Sequence, residues 1–415
     1  MTADKHVLFI ATSANAEHGR GGRRRIVDVA NQARLHGFAP HLLCFLPFEQ
    51  VLRGENFWRT GRASLSAEAN CPVSYMPMLP FTRFVLIERL NLLWCGLVCW
   101  WVSLRTDCRV FYGHGTRAAG FALVAKKMRK SAKVIADVHG VGSAEYAYVK
   151  AAPANDKQLL HLQRDEQRVL SLADQLIFVS ERMLYYFEGE MKRDFSSARV
   201  IPCAVDATSL PDAEKRDLLR EKHGLTERFV VAYVGSAVAY QQPRQMVTLF
   251  SQILELMPQA FFLGITQSPQ VFRDLLSELG VSPKDYLLTS LPHEQVLETL
   301  QMGDVGLLLR EESLLNEVSS PTKFAEYLLA GLPVLLTEHA GDYGETAHRK
   351  GLGHLVDLDG LQVDQVLLDF LLSIHYHRQD YFARCRDYAQ VHLSWEHYGE
   401  VLAKLLEDVV GSLQD

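Results

Sequence analysis

Short apolar runs alternate with longer stretches of mixed apolar and polar positions along most of this chain, the pattern of parallel strands joined by crossover helices. In the first half, runs at 6–11, 39–45, 109–112, 133–137, 175–179 and 199–202 predict strands. A second series begins at 229–234 and continues through 260–265, 285–288, 304–309 and 333–337. Between the two series, residues 206–228 are polar, with charge runs at 212–215 and 220–223 and no strong strand, and read as an inter-domain linker. The expected division is a domain over 1–205, this linker, a second domain over 229–393, and a terminal segment over 394–415 that is helical from 394 to 413. No internal repeat and no low-complexity tract interrupts the pattern.

At 415 residues the chain exceeds the size at which one core usually stops growing, which supports two domains. A composition of 48% hydrophobic and 22% charged residues is ordinary for a globular protein, and a net charge of −6 argues against a nucleic-acid binder. The seven cysteines, at 44, 71, 95, 99, 108, 203 and 385, form no Cys-x-x-Cys pair. Without a signal peptide they read as reduced thiols of a cytoplasmic protein. Cys95 and Cys99 lie four apart in an apolar segment with no His or acid beside them, which points to buried packing rather than zinc.

Residues 319–336 carry the densest chemistry in the chain. Ser320 suits a helix N-cap and Pro321 the first helical position, while Gly331 supplies a left-handed stop and Pro333 forbids continuation. The spacing predicts a helix of about three turns that hands over to an apolar strand. Its free N-terminus, with unpaired N–H groups and roughly half a positive charge, is a natural place for a diphosphate. Lys323 and Glu326, three apart, fall on neighbouring parts of one face, one able to meet phosphate and the other to accept from sugar hydroxyls.

This segment resembles the C-terminal signature of retaining GT-B glycosyltransferases, in particular those that assemble polysaccharides, with their Pro-x-Lys-x-x-Glu-Tyr-Leu-x-x-Gly-x-Pro-Val pattern. Glu326 matches the second glutamate of the Glu-x7-Glu motif, which in that family holds the ribose of a nucleotide sugar. The first glutamate is not matched, because Val318 stands eight residues before Glu326 and Glu317 is one position out of register. Further elements of the resemblance are Asp137-Val138-His139-Gly140, residues 173–180, and Val200-Ile201-Pro202 followed by Val205-Asp206. The resemblance implies an α/β GT-B fold of two Rossmann-like domains facing a cleft, with the C-terminal helix crossing back to the first domain. It also implies that His139 lies beside the donor sugar, a place consistent with the ligand-binding carboxyl end of a parallel strand.

Gly19-Arg20-Gly21-Gly22-Arg23-Arg24-Arg25 follows the first strand and precedes a helix beginning near Ile26, where a phosphate-approaching loop would lie. Gly21, Gly22, Arg23 and Arg24 either hold a lipid diphosphate acceptor or coat an exposed helix start. In the second domain, Gly235 and Ser236 resemble the turn before the family's donor diphosphate site, but the usual basic pair after the glycine is absent. Arg244, Arg310 and Lys323 are the candidate substitutes, with Ser319 and Ser320 at the start of the signature helix. No Asp-x-Asp stands at a strand end, so neither a metal nor another cofactor is expected. Residues 90–104 form the most apolar segment, with Arg83, Glu88 and Arg89 before it and Arg105 closing it. At about 15 residues it falls short of a bilayer span, and reads either as a buried helix or as a surface helix dipping into the inner leaflet.

The resulting expectation is a cytoplasmic, retaining, metal-independent transferase, in peripheral contact with the membrane on the second reading of 90–104. It would move a sugar from a nucleotide sugar to a glycan or lipid-linked acceptor in surface polysaccharide assembly, with no nucleic-acid partner. The alternatives are a GT-B nucleotide-sugar epimerase and a non-catalytic GT-B scaffold, which the unmatched first glutamate and basic pair leave open.

Overall fold

The computed structural model describes residues 5–12, 21–51, 55–79, 85–208 and 213–413. Gly19, Arg20, Arg83 and Asp212 lie outside the described residues. The chain divides into two compact units, one of residues 1–202 with 397–415 and one of residues 203–396.

The first unit is built on a seven-stranded sheet. In chain order its strands are β1 (His6–Thr12), β2 (Ala39–Pro47), β3 (Val73–Met78), β4 (Val110–His114), β5 (Lys133–Val138), β6 (Gln175–Phe178) and β7 (Arg199–Val200). They lie side by side in the order β3-β2-β1-β4-β5-β6-β7, every pair parallel. Val7, Leu8, Phe9, Ile10 and Ala11 are all fully buried, so the central strand is apolar on both faces because helices cover both. The second unit repeats the plan with β8 (Phe229–Val234), β9 (Ala260–Ile265), β10 (Tyr286–Thr289), β11 (Val305–Leu308), β12 (Val334–Leu336) and β13 (Gly353–Leu355). Their order is β10-β9-β8-β11-β12-β13, again all parallel. Alternate residues of β8 feed two cores, Val230 and Ala232 one, Phe229, Val231 and Tyr233 the other.

Three expectations need correction. Two strands, Val73–Met78 and Gly353–Leu355, are additional to those predicted; both sit at sheet edges, where partial burial and, in the first, Pro77 blur the apolar signal. The stretch expected as a linker contains a helix, Ala213–Lys222, that belongs to the second unit. Its Arg216 and Arg220 are buried and reach Asp304 at 2.8 and 3.1 Å, where Arg378 also arrives at 3.2 Å and the Val230 N–H donates at 2.7 Å. The signature helix spans Thr322–Leu329, eight residues and so nearer two turns than three, with Pro321 at the cap position and no side chain capping it. Ser320 is turned away: its hydroxyl accepts from the Cys203 N–H at 3.0 Å and meets the Tyr343 hydroxyl at 3.0 Å. Gly331, at φ 81°, ends the helix in the left-handed conformation expected of it.

The apolar segment of the first unit lies in a helix of 21 residues, Val85–Arg105, that starts earlier than expected. Cys95, Val98, Cys99 and Val102 are buried, and the helix packs against the helix Gly115–Met128. Burial pushes both the Cys95 and Cys99 thiols well up, as inert core cysteines require. No described helix is long and apolar enough to cross a membrane.

Candidate active site

In the second unit the chemistry gathers where β8 ends. Gly235 takes φ 138°, a conformation that side chains rarely adopt, and its N–H donates to the Ile265 carbonyl at 2.9 Å. A Cβ there would collide with the Lys323 ammonium, so the glycine makes room for a cation as well as a turn. Lys323, from the first turn of the signature helix, donates to the Gln241 side-chain carbonyl and to the Tyr233 hydroxyl at 3.3 Å, with its nitrogen 4.7 Å from the Tyr233 ring centre. Burial, reinforced by the positive charge of Arg310, pushes its pKa well below the usual lysine range despite the opposing influence of Glu326.

Arg310 follows β11 and is 6% exposed. Its backbone is clamped by Thr337, whose hydroxyl accepts from the Arg310 N–H at 2.9 Å and donates to its carbonyl at 2.8 Å. Its guanidinium lies 5.2 Å from the Tyr240 ring centre, yet Nε and Nη1 have no hydrogen-bond partner among the described residues. Burial lowers its pKa. A buried guanidinium with open donors and no carboxylate at hand is costly unless an anion joins it. Glu326 lies one helical turn from Lys323, its carboxylate 3.9 Å from the His293 imidazole.

The other predicted donor-site residues have structural duties. Ser236 offers its carbonyl to the Tyr233 hydroxyl at 2.7 Å, and the Ser319 hydroxyl donates to the Asn316 carbonyl at 2.7 Å. Arg244, expected at the diphosphate, is exposed on its helix and forks onto Glu278 at 2.8 and 2.9 Å. At the unmatched glutamate position, Val318 is buried, and Glu317 turns to His339 at 3.3 Å.

The first unit holds a second cluster, at the carboxyl ends of β4 and β5. Asp137 is fully buried, and Arg25 forks onto it, Nε at 2.9 Å from one oxygen and Nη2 at 2.8 Å from the other, while Nη1 donates to the Pro202 carbonyl at 3.0 Å. Burial alone would raise the Asp137 carboxyl, but Arg25, with His114 beside it, holds the group far below the usual carboxylate range. His114 has its Nδ1 3.4 Å from that carboxylate, and neither of its ring nitrogens makes a hydrogen bond among the described residues. His139 stands with its ring centre 6.3 Å from that of His114 and its Nε2 unbonded. Burial brings the His139 pKa down to about 4, so the ring is neutral near pH 7.

The ligand atoms of His114, Asp137 and His139 all lie within 4.8 Å of one another, close enough to invite a metal. The Arg25 fork argues otherwise, because it already occupies both Asp137 oxygens and would set a fixed cation against the ion. Both imidazoles instead line a cavity of about 530 Å³ in this unit, walled by Leu92, Phe121, Val124 and Tyr146.

The arginine run also needs correction. Gly21 and Gly22 open the helix Gly21–Leu35 rather than a loop, so the arginines sit within its first turns. Arg23 is buried and paired with Glu68 at 2.7 Å, and Arg24 with Asp28 at 3.0 Å. His114 receives no role from the sequence, and Arg25 reads only as part of the run that meets an acceptor phosphate or coats a helix start, not as the partner of Asp137. Nothing in three consecutive arginines marks Arg25 as the inward one, and its partner lies 112 residues away.

Residues 19–209 match the model of Glycosyltransferase Family 4. Across the whole chain the likeness is to solved GT-B structures. HepE of Anabaena in complex with UDP superposes with a TM-score of 0.70 at 14% identity, covering 98% of this chain and 100% of that one. Sucrose-phosphate synthase of Thermosynechococcus elongatus gives 0.68 at 15% identity over 98% and 99% of the two chains. WaaG, a glycosyltransferase involved in lipopolysaccharide biosynthesis, gives 0.65 at 14% over 95% and 99%. No curated protein matches the chain in sequence. At such identities the likeness fixes the fold, two Rossmann-like parallel-sheet domains of the GT-B type.

Proposed function

We propose that this GT-B glycosyltransferase is a retaining, metal-independent enzyme that carries a sugar from a nucleotide donor to a glycan or lipid-linked acceptor in surface polysaccharide assembly. The observation that carries the reading is the pair of cations at the Gly235 turn. Arg310 keeps open donors though buried, and Lys323 is held beside Tyr233 without a carboxylate bond. Two like charges brought close in a poorly solvated place repel each other, and a diphosphate relieves both costs. HepE has been solved with UDP, and with UDP-glucose, which makes a uridine diphosphate sugar the first donor to test. WaaG's part in lipopolysaccharide assembly supports a surface glycan as the product class.

In this reading Glu326 accepts from the ribose hydroxyls, while Lys323 and Arg310 meet the diphosphate. The bond from the anomeric carbon to the diphosphate oxygen breaks, and charge accumulates on the departing phosphate, where the two cations act most strongly. An acceptor hydroxyl joins the anomeric carbon on the face just vacated and passes its proton to that phosphate oxygen, so the configuration is retained. His139, neutral and with a free ring nitrogen, orients the sugar. The protein works at the cytoplasmic face of a membrane, in peripheral contact through the helix Val85–Arg105.

The test is a panel of UDP-, GDP- and TDP-sugars incubated with the protein and followed by thermal shift and anomer-resolved product analysis. One donor should stabilise the fold and hydrolyse slowly with retention. Release of an epimerised sugar would move the assignment to an epimerase, and a panel without binding would remove the donor site.

A further inference from the structure

The outer face of the helix Val85–Arg105 carries an apolar stripe left uncovered by the described residues. Leu86, Leu90, Leu93, Leu97, Trp101 and Leu104 recur every three or four residues and are between 42% and 69% exposed. Arg105 stacks on Trp101, its guanidinium carbon 3.9 Å from the ring centre, with its charged head at the rim of the stripe. Beside the start of the helix lies a cavity of about 240 Å³ lined by Arg89, Arg164 and Arg168, together with Glu88, His161 and Asp165. Of the two acids, Glu88 pairs with Arg117 at 3.4 Å and Asp165 lies 3.3 Å from the His161 imidazole. Arg89, Arg164 and Arg168 make no ion pair among the described residues, although Glu88 and Asp165 share the cavity wall with them. This cavity shares Glu88, Leu92, His161, Asp165 and Arg168 with the larger one that His114 and His139 line.

Resting on the transferase reading above, we propose that Arg89, Arg164 and Arg168 bind the phosphate of a lipid-linked acceptor, presented from an anionic bilayer on which the outer face of the helix Val85–Arg105 lies. Guanidinium forks suit phosphate oxygens, and the apolar stripe suits acyl or prenyl chains. Charge favours a bilayer over a second copy of the chain, since antiparallel pairing of two such helices would bring the arginines at their ends together, whereas anionic headgroups neutralise them. The shared wall gives the glycan end of the acceptor a continuous route toward His139.

Sedimentation with vesicles of phosphatidylcholine alone, phosphatidylcholine with phosphatidylglycerol, and phosphatidylcholine with a polyprenyl diphosphate tests this. The wild-type chain should bind the third more tightly than the second at equal surface charge. Arg164→Ala with Arg168→Ala should weaken that binding by roughly 10-fold to 30-fold and erase the preference for diphosphate. Leu93→Ser with Leu97→Ser should abolish binding to all vesicles; should that variant misfold, Leu86→Gln with Leu104→Gln at the ends of the stripe makes the same test. Undiminished diphosphate preference in the arginine variant, or binding of free pyrophosphate by a wild-type chain that ignores every vesicle, overturns the proposal. The donor panel on the wild-type chain decides the transferase reading separately, so either can fail alone.

Discussion

Arg25 in the first unit and Arg310 in the second are almost equally buried, at 3% and 6% exposed, yet Arg25 donates from Nε, Nη1 and Nη2 while Arg310 leaves Nε and Nη1 open. The difference separates two uses of a buried cation. Arg25 is matched by Asp137, and the pair fixes the ground on which His114 and His139 stand. Arg310, which lies beside the Tyr240 ring, has no carboxylate paired with it among the described residues. The Arg25–Asp137 pair is completed by folding, whereas in the function proposed above the Arg310–Lys323 pair is completed by a ligand.

Breaking the finished cluster should have the largest effect. Arg25→Ala leaves the Asp137 carboxylate buried and unpaired, and should cost roughly 3–5 kcal/mol of stability, read by urea unfolding of the ligand-free protein. Removing both charges by Arg25→Met with Asp137→Leu should restore much of that loss; if it does not, the fork is not what the unit depends on.

At the unfinished cluster the ligand-free fold should barely notice. Glu326→Ala should weaken donor and free nucleotide alike by roughly 10-fold to 100-fold, the worth of a charged hydrogen bond of about 1.5–3 kcal/mol, as titration calorimetry would show. Lys323→Ala should spare nucleoside binding but weaken nucleoside diphosphate and slow turnover. An unchanged nucleotide affinity in folded Glu326→Ala would make the helix structural and withdraw the donor site. Arg310→Met should leave the ligand-free melting temperature equal or higher, because an open guanidinium is exchanged for an apolar chain, while the stabilisation gained on adding UDP shrinks.

The smallest effect concerns pH. His139 has its pKa pushed from 6.5 down to about 4 by burial, so as pH falls the unfolded chain takes up this proton before the folded one. Stability linked to the residue is therefore complete above pH 6.5 and declines as pH falls toward about 4. His139→Gln should make that decline shallower, and an identical acid profile would show the ring to be solvated.

Much of the fold was legible because central strands of parallel sheets are apolar on both faces. The edges were not, since Val73–Met78 is only partly buried and Gly353–Leu355 has three residues. At the site, sequence spacing placed Lys323 and Glu326 on one helix but could not say which arginines were spoken for. Arg244 finds Glu278 34 residues on, Arg23 finds Glu68 45 residues on, and Arg310 finds the Tyr240 ring but no carboxylate among the described residues. Pairing is a property of three-dimensional neighbours, and a local pattern holds no record of it. The polar stretch 206–228 misled for the same reason: it read as a linker, yet Arg216 and Arg220 within it are buried.

Asp304 gives that last point a practical side. Its single carboxylate meets Arg216 and Arg220 of the helix Ala213–Lys222 and Arg378 of the helix Arg378–His392, and it also takes the Val230 N–H at the start of the second unit's first strand. Segments more than 150 positions apart along the chain are thereby latched at one point. A protease needs several residues of slack backbone to cut, and this latch denies it slack at the stretch whose composition most resembles an open connector. Digestion should pass over residues 213–222 in the wild-type chain, and Asp304 is the residue that keeps them closed.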